Sequence, residues 1–282
     1  LIEQELLTYH FQPIVDAKQG TIFGYEALMR PLLESIKSPS KLLMLAKSQS
    51  KLYSIERLTW RRSLAQFEAL QNVDPEARLF VNSIANQLLA ERDCQYLKER
   101  FAHLLPRVVM EITEAEHSTE SETRIKLERA ADWGCRIALD DFGTGYNSDA
   151  ALLSINPDFV KLDVSFVRNI DTDANRRKLL QNLRSYADTR GIYVIAEGVE
   201  TADELHTLIE LGVDYVQGYY IARPKPHIEP LPAEIVREIR ETYAAIPPYV
   251  PNEGCAPAPA TRAQNARNQR HQQPPFGGPG QL

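Results

Sequence analysis

Short runs of apolar and β-branched residues alternate along the chain with longer stretches that have the period of a helix. Eight of these runs are predicted as strands: HFQPIV (10–15), IFGYEAL (22–28), LFVNS (79–83), VVMEIT (108–113), RIALDD (136–141), FVKLD (159–163), YVIAEG (193–198) and YVQGYY (215–220). Strands that alternate with helices predict parallel pairing through βαβ units. Eight strands in about 245 residues fit the number and size of a (β/α)₈ barrel, an α/β fold, and a doubly wound open sheet is the alternative.

Two of the helical stretches carry clear end signals. Residues 120–134 stop at Gly134, a residue typical of the position after a helix. The apolar residues of this stretch that fall near one side are Ile125, Leu127, Ala130, Ala131 and Trp133. Residues 201–212 open with Thr201 and carry Glu204 three positions later, which is the pattern of a capping box.

Polar residues fall at or near the C-terminal ends of most of the predicted strands. They are Glu26, Asn82, Glu111, Asp140, Lys161, Glu197 and Gln217. In a barrel, the active site is built from the C-terminal ends of the strands and the loops that follow them. Any one of these residues taken alone is better explained as a solvated, salt-bridged or capping side chain. Their convergence at one end of the barrel is what indicates a functional site.

The segment IALDDFGTGYN (137–147) places two adjacent aspartates, Asp140 and Asp141, at the end of a buried strand. Two carboxylates this close do not both ionise readily unless a cation joins them. Oxygen ligands without His or Cys favour Mg²⁺ or Mn²⁺. Adjacent aspartates can serve two such ions, the arrangement that hydrolyses phosphodiesters. The segment therefore predicts a two-metal site, and the following glycines are expected to turn the backbone sharply out of the strand.

Charge and cysteine content narrow the class of protein. The net charge of −6 gives no electrostatic footprint for DNA, so no DNA partner is expected. Three cysteines without metal-ligand spacing argue against a disulfide framework and favour a reducing cytoplasm. The sequence contains no apolar run of about 18 residues, the length that a membrane-spanning helix needs, so no membrane segment is predicted. The chain starts at Leu1 rather than Met, which predicts a piece of a longer protein that could itself be tethered to a membrane.

The C-terminal part of the chain differs in composition from the rest. From Pro247 onward it is rich in Pro, Ala, Gln, Asn and Arg and has almost no apolar periodicity. Such a segment cannot bury enough apolar surface to offset the entropy of ordering it. We therefore expect a folded domain over residues 1–249 and a disordered tail, rich in Pro, Gln and Asn, over residues 250–282.

Seven motifs, taken in order, resemble those of the EAL-domain family of bacterial cyclic di-GMP phosphodiesterases. They are YEALMR (25–30), FVNSI (80–84), MEITE (110–114), ALDDFGTGYNS (138–148), VKLD (160–163), IAEGVET (195–201) and VQGYYIARP (216–224). The resemblance implies a modified TIM barrel in which one of the first strands runs antiparallel. It also implies metal-dependent hydrolysis of cyclic di-GMP to linear pGpG, which lowers the level of a bacterial second messenger.

The resemblance further implies roles for individual residues. The ligands of a first Mg²⁺ or Mn²⁺ would be Glu26, Asn82, Glu111 and Asp140. A second ion would be held by Asp140 and Asp141, with Glu197 and Glu200 nearby. Lys161 would orient or activate the attacking water, with Glu197 and Gln217 supporting it. The substrate contacts would be Gln12, Leu28, Arg30 and Glu200, and Glu114 would steady the loop after Asp141.

Two rival functions and several partners remain open from the sequence. One rival is an inactive EAL domain that senses cyclic di-GMP without hydrolysing it, and the other is an unrelated barrel metalloenzyme of the enolase type. The resemblance also implies a homodimer through the segment 146–154, where Asp149 stands in place of the usual apolar residue. Similar domains often follow a sensory or GGDEF domain, a candidate partner that this chain does not contain.

Overall fold

Eight strands close into a barrel in chain order in the computed structural model, which describes residues 7–32, 36, 38–70, 73–113, 119–144 and 148–247. The strands are β1 Leu7–Asp16, β2 Ile22–Pro31, β3 Arg78–Ser83, β4 Val108–Thr113, β5 Arg136–Phe142, β6 Phe159–Leu162, β7 Tyr193–Ala196 and β8 Tyr215–Val216. The helices are α1 Pro39–Ser48, α2 Leu52–Glu68, α3 Glu91–Phe101, α4 Glu120–Trp133, α5 Ser148–Ile155, α6 Val164–Val167, α7 Ala174–Arg190, α8 Ala202–Glu210 and α9 Ala233–Ala244, and a short 3₁₀ turn spans Leu105–Arg107. All eight predicted strands are present, so the barrel prediction is confirmed.

The antiparallel strand is β1, which runs antiparallel to both of its neighbours, β2 and β8. The other neighbouring strands are parallel, as in βαβ units. Only residues 17–21 separate β1 from β2, whereas a crossover between parallel strands needs a dozen or more residues. The all-parallel pairing expected from the alternation of elements is therefore wrong for β1. The single antiparallel strand implied by the family resemblance is confirmed.

The predicted helix ends are present. Gly134 adopts a left-handed conformation (φ +69°) after α4. Thr201 and Glu204 form the expected capping box at the start of α8, each side chain bonding to the backbone of the other. The predicted apolar face of α4 is wrong in part, because Ala131 is exposed and Lys126 is buried in its place. A buried lysine on this face is explained by the ion pair that it forms, which is described below.

A layer of apolar side chains fills the floor of the barrel. Its buried members are Ile14, Phe80, Val109, Ala138, Phe159, Ile195 and Tyr215, with Phe23 and Tyr193 packed against them. Phe23 stacks on Tyr215 with ring centroids 4.0 Å apart, and Phe80 meets Phe159 edge to face at 5.5 Å. Aromatic contacts of this kind add to the stabilisation gained by burying the rings. The floor therefore closes one end of the barrel, and the functional residues lie in the layer above it.

The predicted tail, residues 250–282, lies outside the described residues, so the division into domain and tail stays a prediction. Among the helices that the structure describes, none is long and apolar enough to cross a membrane.

Candidate active site

The site residues form a layer directly above the floor because side chains on a strand face the barrel interior at every second position. For six of the strands, the residue two positions after a floor residue is polar, and it lies on the strand or directly after it: Asn82, Glu111, Asp140, Lys161, Glu197 and Gln217. Strand β1 runs the other way, so its polar residue Gln12 precedes the floor residue Ile14. The period of the strands thus brings the predicted residues together at one mouth of the barrel.

Lys161 lies at the centre of this layer and is only 1% exposed. Its ammonium is 2.7 Å from Glu197 Oε1, 3.2 Å from Asp140 Oδ1 and 3.6 Å from Glu26 Oε2. It also forms an ion pair with Glu111, which is 1% exposed. Four carboxylates around one ammonium leave a formal excess of three negative charges. This excess is the electrostatic property that any function of the site must accommodate.

Burial and neighbouring charges shift the pKa values of the cluster upward. Burial raises the pKa of Glu197 to about 8, helped by Asp140 and opposed by Lys161. The pKa of Glu111 is raised well above its usual value by burial, against the opposing effect of Lys161. Burial and the adjacent Asp140 raise the pKa of Asp141 to about 6. The cluster therefore favours bound protons or bound cations over bare charge.

The sequence left open whether Lys161 is more or less basic than usual. Burial by itself lowers its pKa, but the four surrounding carboxylates outweigh burial and raise the pKa well above its usual value. Lys161 is consequently an ammonium at neutral pH in this arrangement. An ammonium donates hydrogen bonds and has no lone pair with which to accept a proton.

Glu26 is held in place by three different side chains. Asn82 Nδ2 donates to its Oε1 at 3.0 Å, Gln217 Nε2 donates to its Oε2 at 2.8 Å, and Lys161 forms the ion pair described above. Gln217 also donates to Gln12 Oε1 at 3.2 Å. Hydrogen bonds to a carboxylate fix the direction of its remaining lone pairs. Glu26 is thus oriented by side chains from three other strands, β3, β6 and the end of β8.

The aspartate pair sits on an irregular stretch of β5. The pairing of β5 with β6 shifts between Leu139 and Phe142, and Asp141 has a left-handed backbone (φ +55°). A bulge of this kind inserts a residue and re-aims the side chains beside it. As a result, both Asp140 and Asp141 face the same cavity. The backbone thus departs from regular strand geometry at Asp141, before the glycine to which the sequence assigned the turn.

An open cavity of about 390 Å³ lies above the charged layer. Its lining includes eight of the predicted site residues: Gln12, Glu26, Leu28, Asp140, Asp141, Glu197, Glu200 and Gln217. Asn82, Glu111 and Lys161 are joined to this group by the contacts already given, without lining the cavity. Arg30 does not line it either, and its Nη1 donates to the carbonyl of Met29 at 2.9 Å. Glu114 and residues 145–147 lie outside the described residues, so the loop-steadying role and the dimer contact stay predictions.

Asp163 also lines the cavity and was not predicted as a site residue. It lies two positions after Lys161, so the period of two along β6 was a signal that could have found it. Its Oδ1 accepts from the backbone N–H of Ser165 at 2.8 Å and caps α6. Glu200, at the cavity edge, pairs with Arg168 at 2.8 Å, a contact that the sequence pattern does not indicate.

The oxygen atoms of the cluster fit a hard divalent cation in type and in burial. Both carboxylate oxygens of Glu111, Oδ1 of Asp140 and Oε1 of Gln217 are buried and accept no hydrogen bond from the described residues, although Lys161 lies in ionic contact with two of them. Within the described ranges, no group of three or more His, Cys, Asp or Glu side chains is already arranged around a metal position. Binding an ion would therefore require carboxylates to turn from the ammonium of Lys161 toward the cavity.

Comparison with known proteins relates this site to a family. The probable cyclic di-GMP phosphodiesterase PdeG of Escherichia coli (strain K12) is 29% identical over 227 residues, which are 78% of this chain and 45% of PdeG. The cyclic di-GMP phosphodiesterase PdeF of the same organism is 31% identical over 252 residues, which are 86% of this chain and 33% of PdeF. The chain therefore spans less than half the length of these two relatives.

A solved structure shows the same architecture. A standalone EAL protein from Vibrio cholerae O395, in its cyclic di-GMP-bound form, superposes with a TM-score of 0.71 at 28% identity. The superposition covers 81% of this chain and 97% of that protein. The family model of the EAL domain matches residues 1–224. On the extent of this match and on the barrel and the ordered residues at its mouth, the chain belongs to the EAL domain family.

Proposed function

We propose that this chain hydrolyses cyclic di-GMP to linear pGpG in a reaction that depends on Mg²⁺ or Mn²⁺. The observation that carries the proposal is the cluster at the barrel mouth, where Lys161 and four carboxylates meet beneath an open cavity. Relatives that share the domain are named cyclic di-GMP phosphodiesterases, and the Vibrio cholerae protein binds cyclic di-GMP. These names support the proposal for the substrate.

The cavity suits part of a dinucleotide. Its volume of about 390 Å³ lies within the usual range for small-molecule sites. Gln12 and Leu28 supply an amide and an apolar surface on neighbouring strands, and Tyr219 also lines the cavity. Arg30 follows Leu28 by two residues on β2, so it faces the same side of the strand, at the rim. A guanidinium there suits a phosphate of the substrate.

Divalent ions would supply what the protein lacks, namely neutralisation of the anionic phosphodiester and activation of a water molecule. The residues that would hold them are Glu26, Asn82, Glu111, Asp140 and Asp141, with Glu197 close by. The structural support for this assignment is that both carboxylate oxygens of Glu111 and Oδ1 of Asp140 are buried and accept no hydrogen bond from the described residues. The adjacent aspartates that share the cavity support two ions rather than one.

The chain's own residues then act on the water and the phosphate. Hydrolysis adds the water oxygen to phosphorus, breaks the bond from phosphorus to the 3′-oxygen, and leaves a 5′-phosphate on the linear product. Lys161, as an ammonium, would orient the water by donating a hydrogen bond and would offset negative charge that develops on the phosphate. Glu197, whose carboxyl lies 2.7 Å from Lys161, would hold the ammonium and, when ionised, take up a proton from the water.

Incubation of the purified chain with cyclic di-GMP, followed by chromatography of the nucleotides, tests the proposal. We expect pGpG to appear with Mg²⁺ or Mn²⁺ and not with excess EDTA. Binding of cyclic di-GMP without any turnover, in the presence of either ion, would replace hydrolysis by the sensor function. Absence of both binding and turnover would overturn the assignment of the substrate.

A further inference from the structure

A second buried charge pair, Glu56 and Lys126, lies behind the site layer and belongs to none of the motifs that identify the family. Glu56 is on α2 and 2% exposed, and Lys126 is on α4 and 3% exposed. The two charged groups are 3.9 Å apart. Burying a carboxylate and an ammonium costs free energy unless each finds partners, so the contacts of this pair indicate what it does.

The contacts of the pair converge on the end of strand β3. Glu56 Oε1 accepts from Ser83 Oγ at 2.7 Å, and its Oε2 accepts from the backbone N–H of Ile84 at 2.8 Å. Lys126 Nζ donates to Ser83 Oγ at 2.6 Å and to the backbone carbonyl of Ile84. The pair therefore holds the side chain of Ser83 and both backbone polar groups of Ile84. A clamp with four bonds leaves this turn little freedom.

The residue immediately before the clamp is Asn82. Successive side chains on a strand point to opposite faces, so Asn82 faces the barrel interior while Ser83 faces the helices. Asn82 Nδ2 donates to Glu26, inside the site. Any rotation of the chain at Ser83 and Ile84 would turn Asn82 away from Glu26, because the three residues share one short length of backbone.

We propose that Glu56 and Lys126 are positioning residues that fix Asn82 in the site from the opposite face of β3. The inference rests on the proposed function in one respect, which is that Asn82 is a ligand of the metal ion. Neither residue lines the site cavity; they act through the backbone of Ser83 and Ile84. Residues that orient a ligand from behind typically change metal affinity or activity by about 10- to 100-fold when they are replaced.

The surroundings of the pair favour a positioning role over a simple contribution to stability. Trp60 Nε1 donates to Glu56 Oε1 at 2.9 Å, and Trp60 packs edge to face on Trp133 with centroids 5.1 Å apart. This aromatic wall would accommodate apolar residues, and replacing a buried ion pair by apolar residues is often neutral or stabilising. An ion pair here is thus better explained by the directed bonds that it makes to β3.

The test compares wild-type protein with Glu56→Gln, and with a double variant that carries Glu56→Gln and Lys126→Met. The double variant matters because it leaves no buried charge without a partner, so it should recover much of the stability that the single variant loses. Binding of Mn²⁺ without nucleotide is measured by electron paramagnetic resonance of the free ion. The kcat for cyclic di-GMP and the free energy of unfolding are measured on the same samples.

We expect both variants to bind Mn²⁺ at least about 10-fold more weakly and to lose kcat by a similar factor. The decisive result is that the double variant recovers stability without recovering Mn²⁺ affinity. Wild-type Mn²⁺ affinity in either folded variant would overturn the proposal. Loss of the fold in the double variant would also overturn it, since the pair would then serve stability itself.

Asp214→Asn is the matched control. Asp214 is likewise a buried carboxylate that holds strand backbone: its Oδ2 accepts from the N–H of Val194 at 2.8 Å and from Arg184 at 2.7 Å. These bonds lie near the start of β7, at the end of the barrel opposite the site. Asp214→Asn should lower stability without changing Mn²⁺ affinity. If the wild type binds Mn²⁺ but hydrolyses nothing, the proposed function fails while the Mn²⁺ comparison still decides this inference.

Discussion

Lys161 occupies the point at which four carboxylates of the barrel mouth meet, and it forms an ion pair with each of them. Its position below the cavity lets it act on a water molecule more readily than on the body of the substrate. Interactions that strengthen only in the transition state affect kcat, whereas interactions with the bound substrate affect KM. The geometry therefore predicts that Lys161 contributes to turnover and little to substrate affinity.

Lys161→Ala should lower kcat by at least about 100-fold with little change in KM, the pattern of an interaction made mainly in the transition state. Lys161→Arg should not restore activity, because the larger planar guanidinium has no space where the ammonium is 1% exposed. Steady-state kinetics on both variants make the measurement. An active Lys161→Arg enzyme would show that charge alone suffices, and a defect confined to KM would contradict the catalytic role.

The raised pKa of Glu197 predicts a pH dependence of stability in metal-free protein. The carboxyl has a pKa of about 8 in the folded chain, against an ordinary value of about 4.3 when unfolded. Between these values the folded state holds a proton that the unfolded state has lost, so the free energy of unfolding falls as pH rises through this window. Glu197→Gln should remove this contribution and make the stability of the variant less dependent on pH.

Denaturant unfolding of both proteins in EDTA at pH 5, 6.5 and 8 checks this prediction. Relative to wild type, Glu197→Gln should become more stable toward pH 8. Parallel curves for the two proteins would show that Glu197 does not hold its proton in the folded state.

The site residues on the parallel strands could be predicted from the sequence because the end of a strand is visible as a polar residue after an apolar run. Residues that act from outside the strands were not visible. Lys126 lies in a helix whose apolar residues suggested a different face, and only the fold shows that Glu56 lies opposite it. The bulge that turns Asp141 toward the cavity is likewise a property of the pairing with β6 rather than of local sequence.

At the scale of elements, Gly218 sets how closely the loops after β7 and β8 approach each other. Gly198 and Gly218 directly follow Glu197 and Gln217. A Cβ on Gly218 would lie 2.1 Å from the carbonyl oxygen and 2.3 Å from the nitrogen of Val199. Both contacts are with backbone, which cannot move aside as a flexible side chain would. The two site residues are therefore held by direct packing of one loop on the other.

Gly218→Ala should push these loops apart, lower stability and reduce kcat by more than about 10-fold, since a misplacement of about 1 Å at a site can cost 100-fold in rate. The control is Gly191→Ala at the end of α7, where nothing lies within 4 Å of the added Cβ but φ is +70°. That variant should lose about 1 kcal/mol from backbone strain alone and keep its kcat. Equal kinetics for both variants would contradict the proposed role of the loop contact.

The direction of β1 shows what a pattern of elements can and cannot indicate. Alternation of strands and helices predicted parallel pairing, and it did so correctly for β2 to β8. The exception could have been derived from loop length, because six residues between the two predicted strands cannot hold a crossover. The consequence for function is that Gln12 reaches the site from a strand that runs in the opposite direction.

At the scale of the whole molecule, the interior of the barrel consists of an apolar floor and a charged layer above it. The aromatic floor closes the interior, and the layer above it collects charge that would destabilise the fold if it stood alone. Removing the ammonium of Lys161 or adding a cation should therefore alter the stability of the entire domain, because every strand of the barrel contributes a residue to this layer.

A divalent ion should stabilise the protein, since the four carboxyl groups of the cluster outnumber the one ammonium at its centre. An ion present at about 100 times its dissociation constant adds about 2.7 kcal/mol to the free energy of unfolding. For a domain of this size, that corresponds to a rise in Tm of about 5–10 °C. Thermal unfolding with Mn²⁺, Mg²⁺ and excess EDTA measures the shift, and Glu111→Gln, which removes a proposed ligand, should abolish most of it.

The same ions should differ in the activity that they support. Mg²⁺ and Mn²⁺ should restore hydrolysis after chelation. Ca²⁺ should raise the Tm but support turnover poorly, because its larger and looser coordination suits the ground state better than a two-metal transition state. Nucleotide chromatography and Tm on matched samples separate binding from catalysis. Full hydrolysis in excess EDTA would contradict the metal site outright, and a Tm shift that survives in Glu111→Gln would place the bound ion elsewhere in the molecule.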